Sequence, residues 1–378
     1  MAAASGPQDT GWAEALAAAC RGEGVTSVYQ AIVDTRRGSV VGYEALTRFT
    51  GASTDPEQWF AAARRHGCAA ELEAVALRSA LIERANLPAN CFLTVNVSPD
   101  LLASAPVRAV WLDEGDLGGL IVELTEQVPI ESYLSLEPDL NQLRAAGALI
   151  AVDDAGAGYA GLRHLLSLRP ALIKVDRALV QGVDRDAAKL ALIEMLGAFA
   201  GRVDAWLLAE GVETVGELDT LAALGVPLVQ GYLLGRPGPA WAQVDVDVAV
   251  RLAATHPPQQ TRSVRDVLEA VPTVATVEEA VAGFAANPDL HTLVLIDPDH
   301  RPVAVLDAGS VRLGVFSPGL KVNLDTPLTD ALLRSMTRDA GVRFEPVLVT
   351  DNAGRYTGVA RMERMVSAVS AAAETTPG

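Results

Sequence analysis

Two adjacent aspartates, Asp153 and Asp154, follow directly on the apolar residues 149–152 and precede a glycine-rich turn. An uninterrupted apolar run predicts a buried strand, because a half-exposed strand would alternate. Neighbouring strand residues point to opposite faces, so the two carboxylates share a site only if the strand ends between them. Such a pair can bind a divalent cation, although Asp and Gly are equally typical of a solvated turn between a strand and a helix.

Polar side chains of the same kind lie in or at the ends of six further apolar runs. They are Glu44, Asn96, Glu123, Lys174, Glu210 and Gln230. Each has a structural explanation by itself, such as a turn, a salt bridge or a capped amide. Together the acids and the amide are hard oxygen ligands, which favours Mg²⁺ or Mn²⁺ over zinc. Five carboxylates exceed the need of one ion but suit two ions that share one acid, as in phosphoester hydrolysis.

The elements that position these residues alternate between short β-branched runs and longer helical stretches over the first 235 residues or so. Strands are predicted at Val25–Val33, Val40–Leu46, Phe92–Val97, Leu120–Leu124, Leu149–Asp154, Leu172–Asp176, Trp206–Glu210 and Pro227–Tyr232. Helices are predicted at Pro56–His66, Glu71–Arg84, Leu134–Ala146, Tyr159–Leu168, Ala187–Ala200 and Val215–Leu224. Alternating strands and helices indicate a mostly parallel α/β sheet, and about eight strands favour an irregular (β/α)8 TIM-type barrel.

The first two strands depart from this rule, because only residues 34–39 separate them. That connection is too short for a crossover helix, so the two strands should pair antiparallel as a hairpin. In a parallel barrel the carboxyl ends of the strands meet on one face, where barrel enzymes build their sites. The sequence therefore predicts that the polar residues converge on that face.

Composition and charge limit the function classes. The net charge of −17 argues against a general DNA-binding surface, and no stretch approaches about 18 uncharged apolar residues, so no membrane span is expected. The first residues lack the pattern of a secretory signal, and three scattered cysteines suggest reduced thiols, so we expect a cytoplasmic protein. Domains are predicted at 1–23 (a helical extension), 24–245 (the barrel), 246–262 (a linker) and 263–372.

The last predicted domain contains an internal repeat. Residues 293–305 resemble residues 347–359, with Asp297 matching Asp351 and Arg301 matching Arg355 at an offset of about 54 residues. An apolar helical stretch precedes each copy. We interpret the repeat as two β-α-β-β units, which form a smaller α/β domain.

The ordered set of motifs resembles the EAL-domain family of phosphodiesterases, which hydrolyse cyclic di-GMP to the linear dinucleotide pGpG. The motifs are Glu44-Ala45-Leu46-x-Arg48, Asn96-Val97-Ser98, Glu123-Leu124-Thr125-Glu126, Asp153-Asp154-x-Gly156-x-Gly158-Tyr159, Ile173-Lys174-Val175-Asp176, Ala209-Glu210-Gly211-Val212-Glu213 and Gln230-Gly231-Tyr232. The resemblance covers roughly residues 24–240. It implies a barrel with an antiparallel first strand, in agreement with the predicted hairpin.

The resemblance also implies residue roles. One metal ion would be held by Glu44, Asn96, Glu123 and Asp153, and a second by Asp153, Asp154 and Glu210. Lys174 would orient the attacking water, Gln230 would support the site, and Glu126 would hold the loop after Asp154. Arg48 would bind a substrate phosphate, with Gln30, Leu46 and Asp176 also placed at the substrate. The implied partners are cyclic di-GMP and a second copy of the chain.

Three departures from the family pattern leave an alternative open. Ala155 stands where the family usually has Phe, Ala157 where it has Thr or Ser, and Ala31 where it has Pro. The first two lie in the loop that couples metal binding to dimerisation, so a catalytically inactive receptor for cyclic di-GMP is the alternative function. A structural scaffold is a third hypothesis.

The C-terminal repeat more weakly resembles a tandem pair of CBS modules, which often bind adenine nucleotides. At the expected nucleotide motif this chain has Arg361 and Arg364 in place of the hydroxyl and the acid. A small nucleotide is therefore one candidate ligand of this domain, and a spacer or dimerisation domain without a ligand is the other.

Overall fold

The computed structural model describes residues 7–124, 130–155, 168, 170–203, 205–255, 263–287, 289–314, 316, 318–338, 341–351 and 354–374. The chain divides into two compact units, Met1–His256 and Pro257–Gly378. Within the described residues, no helix is long and apolar enough to cross a membrane.

Eight strands form a closed barrel in the first unit. They are β1 (Val25–Asp34), β2 (Ser39–Phe49), β3 (Phe92–Val97), β4 (Leu120–Leu124), β5 (Leu149–Ala155), β6 (Leu172–Val175), β7 (Trp206–Ala209) and β8 (Leu228–Val229). β1 is antiparallel to both of its neighbours, β2 and β8, whereas the other neighbouring pairs are parallel. The α/β barrel with an antiparallel first strand, predicted from the short connection between the first two runs, is confirmed.

The barrel interior is built in layers. Each strand contributes one apolar side chain to a buried floor: Ile32, Val41, Phe92, Ile121, Ala151, Leu172, Leu208 and Leu228. Because side chains alternate between the two faces of a strand, the next interior position lies two residues further on. In β3 to β8 that position, in or just after the strand, holds a polar residue and lies toward the carboxyl ends of the parallel strands: Thr94, Glu123, Asp153, Lys174, Glu210 and Gln230. In the antiparallel β1 the corresponding residue is Gln30, two residues before Ile32.

Helices surround this barrel. They are α1 (Pro7–Ala19), α2 (Pro56–His66), α3 (Ala69–Leu81), α4 (Ala105–Glu114), α5 (Ile130–Ala145), α6 (Arg177–Val180), α7 (Ala187–Arg202), α8 (Val215–Ala223) and α9 (Val246–Thr255). α2 has its predicted bounds, because Asp55 accepts a hydrogen bond from the Glu57 amide at its start and Gly67 ends it with φ of 72°. The helix predicted at 159–168 lies outside the described residues, apart from residue 168.

The predicted linker begins too early. Residues 246–255, which were assigned to it, form α9 instead, and Leu252 of this helix is buried against the barrel core. The prediction depended on Pro257 and Pro258, which prevent a helix only where they stand. Those two prolines lie outside the described residues.

The second unit contains two three-stranded sheets, ordered β11-β10-β9 and β12-β13-β14. The first comprises β9 (Thr273–Val274), β10 (Leu293–Ile296) and β11 (Pro302–Leu306), with helices α10 (Val277–Ala286) and α11 (Ala308–Leu313). The second comprises β12 (Lys321–Asn323), β13 (Val347–Thr350) and β14 (Tyr356–Ala360), with helices α12 (Leu328–Met336) and α13 (Met362–Glu374).

The two hairpins of this unit repeat each other in register. Leu293 pairs with Leu306, and Val347 pairs with Ala360, so both partners are offset by the predicted 54 residues. Each hairpin also has one register shift at the corresponding place, after Leu295 and after Val349. The predicted pair of β-α-β-β units is present. Its assignment to the CBS class stays a prediction.

Candidate active site

The polar layer of the barrel is centred on Lys174. This side chain is 1% exposed, and its Nζ lies 2.7 Å from a carboxylate oxygen of Glu123 and 2.7 Å from one of Glu210. The nearest carboxylate oxygens of Glu44 and Asp153 are each 3.3 Å away. Five sequence-predicted residues from five different strands therefore meet at one point, as the barrel geometry favours.

Amide side chains orient Glu44. One carboxylate oxygen accepts a hydrogen bond of 2.6 Å from Gln230 Nε2, and the other accepts one of 3.0 Å from Asn96 Nδ2. Gln230 also donates to Gln30 Oε1, and Gln30 donates in turn to the Gly235 carbonyl oxygen. The supporting role predicted for Gln230 thus has a physical basis, because its amide links β8 to β1 and β2.

A glycine lets the last two strand-end loops approach each other. A Cβ on Gly231 would lie 2.2 Å from the Val212 amide nitrogen, so any other residue would push the two loops apart. The contact is closed by a hydrogen bond from the Val212 amide to the Gln230 carbonyl oxygen. This packing holds Glu210 and Gln230 on the same side of the barrel.

Burial and crowding shift the acid–base equilibria of this cluster. Burial, with the charges of Glu44, Asp153 and Glu210, raises the pKa of Glu123 well above its usual range. Burial likewise raises the pKa of Glu210 to about 8, against the lowering effect of Lys174. Burial opposes a charged Lys174, but the surrounding carboxylates dominate and raise its pKa. One ammonium ion therefore balances only part of the negative charge that four carboxylates can carry.

Glu44 behaves differently from its neighbours. Although burial favours its neutral form, the charge of Lys174 and the hydrogen bonds from Gln230 and Asn96 lower its pKa. Among the three glutamates of the cluster, it is the one that is best prepared to carry a negative charge. A carboxylate that is already ionised can bind a cation without first losing a proton.

The donor set fits a divalent cation. Two buried oxygens of the cluster, Glu123 Oε1 and Gln230 Oε1, have no hydrogen-bond partner among the described residues. Oxygen donors from carboxylates and amides suit Mg²⁺, Mn²⁺ or Ca²⁺. No three acidic, histidine or cysteine side chains in the described parts of the chain are already arranged as a metal site.

Three of the residues predicted at the substrate belong to the β1–β2 hairpin, and the fourth follows β6. Gln30 pairs with Glu44 across the β1–β2 hairpin, and Leu46 and Arg48 follow Glu44 on the same face of β2, where both are partly exposed. Arg48 donates to the Thr47 carbonyl oxygen at 2.9 Å. Asp176 caps the start of α6 by accepting a hydrogen bond from the Ala178 amide, an N-terminal cap that the sequence analysis did not predict.

Two predicted site residues are not placed. Glu126 lies outside the described residues, and Asp154 belongs to β5 but its side chain is outside the description. β5 does not end between Asp153 and Asp154, as a shared site was expected to require, but its register shifts between Val152 and Ala155. Their predicted roles stay predictions. The structure therefore brings together Glu44, Asn96, Glu123, Asp153, Lys174, Glu210 and Gln230, with Gln30 beside them.

Sequence reasoning missed two carboxylates that hold the strand-end loops. Glu217 accepts hydrogen bonds from the amides of Gly182, Glu213 and Thr214, and thereby holds the loop that follows Glu210. The spacing of Thr214 and Glu217 is that of a capping box and could have revealed this role. Glu73 of α3 holds the loop after β3, and no local pattern marks it.

The fold and the site define a class of protein: a TIM-type barrel with an antiparallel first strand, in which acids from several strands meet a buried lysine. A model of the EAL domain matches residues 13–237. The chain therefore belongs to the EAL domain family.

Relatives and solved structures support this assignment. The cyclic di-GMP phosphodiesterase NbdA of Pseudomonas aeruginosa is 29% identical over 256 residues, which are 65% of this chain and 33% of NbdA. The PaMucR phosphodiesterase, solved in complex with c-di-GMP, has a TM-score of 0.55 at 29% identity. The alignment covers 61% of this chain and 98% of the PaMucR chain. BlrP1 of Klebsiella pneumoniae, solved with calcium and cyclic di-GMP, has a TM-score of 0.53 at 30% identity. The alignment covers 59% of this chain and 58% of the BlrP1 chain.

BlrP1 has also been solved with manganese and cyclic di-GMP, at a TM-score of 0.51 to this chain. The chain spans about a third of the length of most curated relatives that it matches, from 18% of one to 44% of another. The similarity thus concerns the EAL domain and not the whole of those proteins.

Proposed function

We propose that this chain hydrolyses cyclic di-GMP to pGpG with the help of divalent cations bound among the strand-end carboxylates. The observation that carries the proposal is the convergence of four carboxylates on Lys174, whose single ammonium ion can balance only part of the negative charge that they can carry. Relatives at 29 to 30% identity are named for, or solved with, cyclic di-GMP. Bound divalent cations would supply Lewis acidity and an acidified water as nucleophile.

The proposed metal ligands are those that the resemblance to the EAL family implies. Glu44, Asn96, Glu123 and Asp153 would hold one ion, and Asp153, Asp154 and Glu210 a second. Asn96 donates its amide hydrogen to Glu44, which leaves the amide oxygen as its ligand atom. Mg²⁺ and Mn²⁺ are the proposed ions.

The chain's own residues would bind and orient the substrate. Lys174 carries a proton on Nζ and lies among the four carboxylates, so it would orient a water molecule bound beside them. Arg48 would bind a phosphate oxygen at the rim, with Gln30, Leu46 and Asp176 around the bases. Gln230 keeps Glu44 in place, and Glu126 would hold the loop after Asp154.

The test is chromatographic detection of pGpG after incubation of the full chain with cyclic di-GMP and Mn²⁺ or Mg²⁺, with EDTA as control. We expect metal-dependent pGpG, and at least a hundredfold lower rate in Glu123→Gln, which keeps the size of the side chain but removes its charge. Asp139→Asn is the matched control, because Asp139 is also a buried carboxylate but pairs with Arg108 on the outer helices. Equal rates in Glu123→Gln and the wild type would refute the assignment.

A second candidate function is that of a receptor that binds cyclic di-GMP without cleaving it. Ala155 and Ala157, which depart from the family pattern, favour it. The intact carboxylate cluster argues against it, because a receptor has no need to concentrate like charges. Binding of cyclic di-GMP with no pGpG over hours in Mn²⁺ would establish the receptor.

For the second unit we propose a regulatory role exerted through a homodimer, with a CBS-like pair as the framework and a small nucleotide as the candidate ligand. The repeated hairpin register supports two equivalent halves. Ending the chain at residue 256 should change either the rate or the oligomeric state. If neither changes, the regulatory role is wrong.

A further inference from the structure

A buried glutamate outside the barrel binds the loop that follows Asn96. Glu73 lies in the middle of α3 and is 4% exposed. Its Oε1 accepts a hydrogen bond of 2.6 Å from the Ser98 amide, and its Oε2 accepts one of 3.3 Å from the Ser98 hydroxyl. A buried carboxylate is costly at a helix position that an apolar residue could fill, so its contacts to Ser98 require an explanation.

Ser98 lies at the point where β3 ends. It follows the buried Val97 and precedes Pro99, which begins a short 3-10 helix at Pro99–Leu101. Because proline has no amide hydrogen, Ser98 provides the last backbone donor before that helix. Holding Ser98 therefore fixes the direction in which the chain leaves the barrel, two residues after Asn96.

Asn96 needs such support. Its side chain is exposed, so packing does not hold it, and its described hydrogen bond runs from Nδ2 to Glu44 on the inner side. From these contacts we propose that Glu73 is a positioning residue for Asn96, which keeps the Asn96 amide in place for a cation that would bind beside Glu44. This inference rests on the proposed function, in which Asn96 is a metal ligand.

The same arrangement recurs on another side of the barrel. Glu217 of α8 is 4% exposed and binds three backbone amides in the loops near Glu210. In both places a carboxylate from an outer helix holds the backbone next to a proposed ligand. Outer-shell groups of this kind fix ligand geometry, and their loss typically costs about 10 to 100-fold in metal affinity or activity.

The experiment measures Mn²⁺ affinity of the full chain by calorimetry, with thermal unfolding recorded for every variant. Glu73→Leu removes both acceptors and should raise the Kd for Mn²⁺ about tenfold or more. Glu73→Gln should remain close to the wild type, because its amide oxygen can accept from the Ser98 amide and the Ser98 hydroxyl can accept from its nitrogen. Asp139→Leu is the matched control, which should lower the melting temperature without changing the Kd.

Ser98→Pro removes the hydrogen-bond donors of the same contact instead of the acceptors. It is the replacement variant if Glu73→Leu does not fold. The backbone of Ser98 has φ of −67°, which proline adopts without strain. It removes the amide and hydroxyl donors together, so it should raise the Kd as Glu73→Leu does. An unchanged Kd in a folded variant would overturn the inference.

A double-mutant cycle separates positioning from a general loss of stability. If Glu73 acts through Asn96, Glu73→Leu should raise the Kd in the wild-type background but not further in Asn96→Ala. Additive effects would overturn the inference and leave the proposed function intact. A wild-type chain that binds no Mn²⁺ would overturn the proposed function itself, and the inference with it.

Discussion

Two strands of this protein have the same sequence pattern and use it differently. In β5, residues 149–152 are apolar and Asp153 follows, and in β10, residues 293–296 are apolar and Asp297 follows. The Asp153 carboxylate lies 3.3 Å from Lys174, which belongs to the neighbouring strand. The Asp297 carboxylate accepts hydrogen bonds from the amides of Asp299 and Arg301 in its own hairpin turn.

The difference arises from the direction of the neighbouring strands. β5 and β6 are parallel, so the ends of several strands meet and their polar side chains accumulate. β10 and β11 are antiparallel, so the chain turns back at once and Asp297 binds the amides of that turn. A carboxylate at a strand end is thus a candidate ligand in the barrel and a turn-stabilising group in the hairpin.

The largest expected effect comes from removing the central cation. Lys174→Met leaves four carboxylates in a buried layer without their ammonium ion, which should lower the free energy of unfolding in EDTA by about 3 to 5 kcal/mol. The deficit should shrink at low pH, because protonated carboxylates no longer repel one another. Urea unfolding at pH 6 and pH 8 measures both effects.

The matched variant in the second unit is Arg361→Met, because Arg361 pairs with Glu269 at a half-buried site. This change should cost about 1 kcal/mol or less, with little dependence on pH between 6 and 8. If the two variants lose equal stability, the barrel carboxylates do not differ from ordinary ion pairs, and the contrast between the two regions is wrong.

The next largest effect is expected in the pH dependence of the affinity for Mn²⁺. Metal ligands must be ionised, and burial raises the pKa of Glu210 to about 8, so below that pH a proton competes with the cation. The affinity for Mn²⁺ should therefore rise with pH between 6.5 and 8, by at most about tenfold per pH unit for each proton released. Electron paramagnetic resonance of free Mn²⁺ at several pH values measures it.

Glu210→Gln, which cannot bind that proton, is the control for this experiment. Its affinity should be weaker than that of the wild type but should depend less steeply on pH. An affinity that is independent of pH in the wild type would show that the cluster is already fully ionised without metal.

The smallest effect is expected in the hairpins of the second unit. Asp297→Ala and Asp351→Ala each remove an acceptor for backbone amides, including those of Arg301 and Arg355, and should each cost about 1 kcal/mol of unfolding free energy. Turnover of cyclic di-GMP should not change, in contrast to Asp153→Ala. Because the hairpins share one register, the two changes should also be similar in size, and a loss of turnover in either would contradict the comparison.

Much of the fold was predictable, because apolar runs and their connections carry the information. β3 and β4 have the bounds that their apolar residues predict, and the antiparallel β1–β2 pair follows from the short connection between them. The bounds of the last barrel elements were harder to predict from the sequence. β8 comprises only Leu228 and Val229, and α9 begins inside the predicted linker. In both places the outcome depends on packing against the barrel, which no local pattern records.

The candidate site was predictable for a related reason. Glu44, Glu123, Lys174 and Gln230 stand at strand positions where burial of a polar group needs a partner, so the sequence alone indicated that they meet. The glutamates on the surrounding helices gave no such sequence signal for a role at the site. Glu73 lies in an amphipathic helix where a glutamate is ordinary, and only the folded chain brings it to Ser98.

The sequence by itself determined which side chains face the barrel interior, because the two-residue period of a strand is a property of the backbone. It also determined the repeat of the second unit, which the hairpin registers reproduce. The tertiary structure alone decided that four carboxylates share Lys174, that the pKa of Glu44 is lowered while those of Glu123 and Glu210 are raised, and that Glu73 reaches the Asn96 loop. These depend on distances between strands and helices far apart in the chain, and charge interactions and hydrogen bonds change steeply with distance.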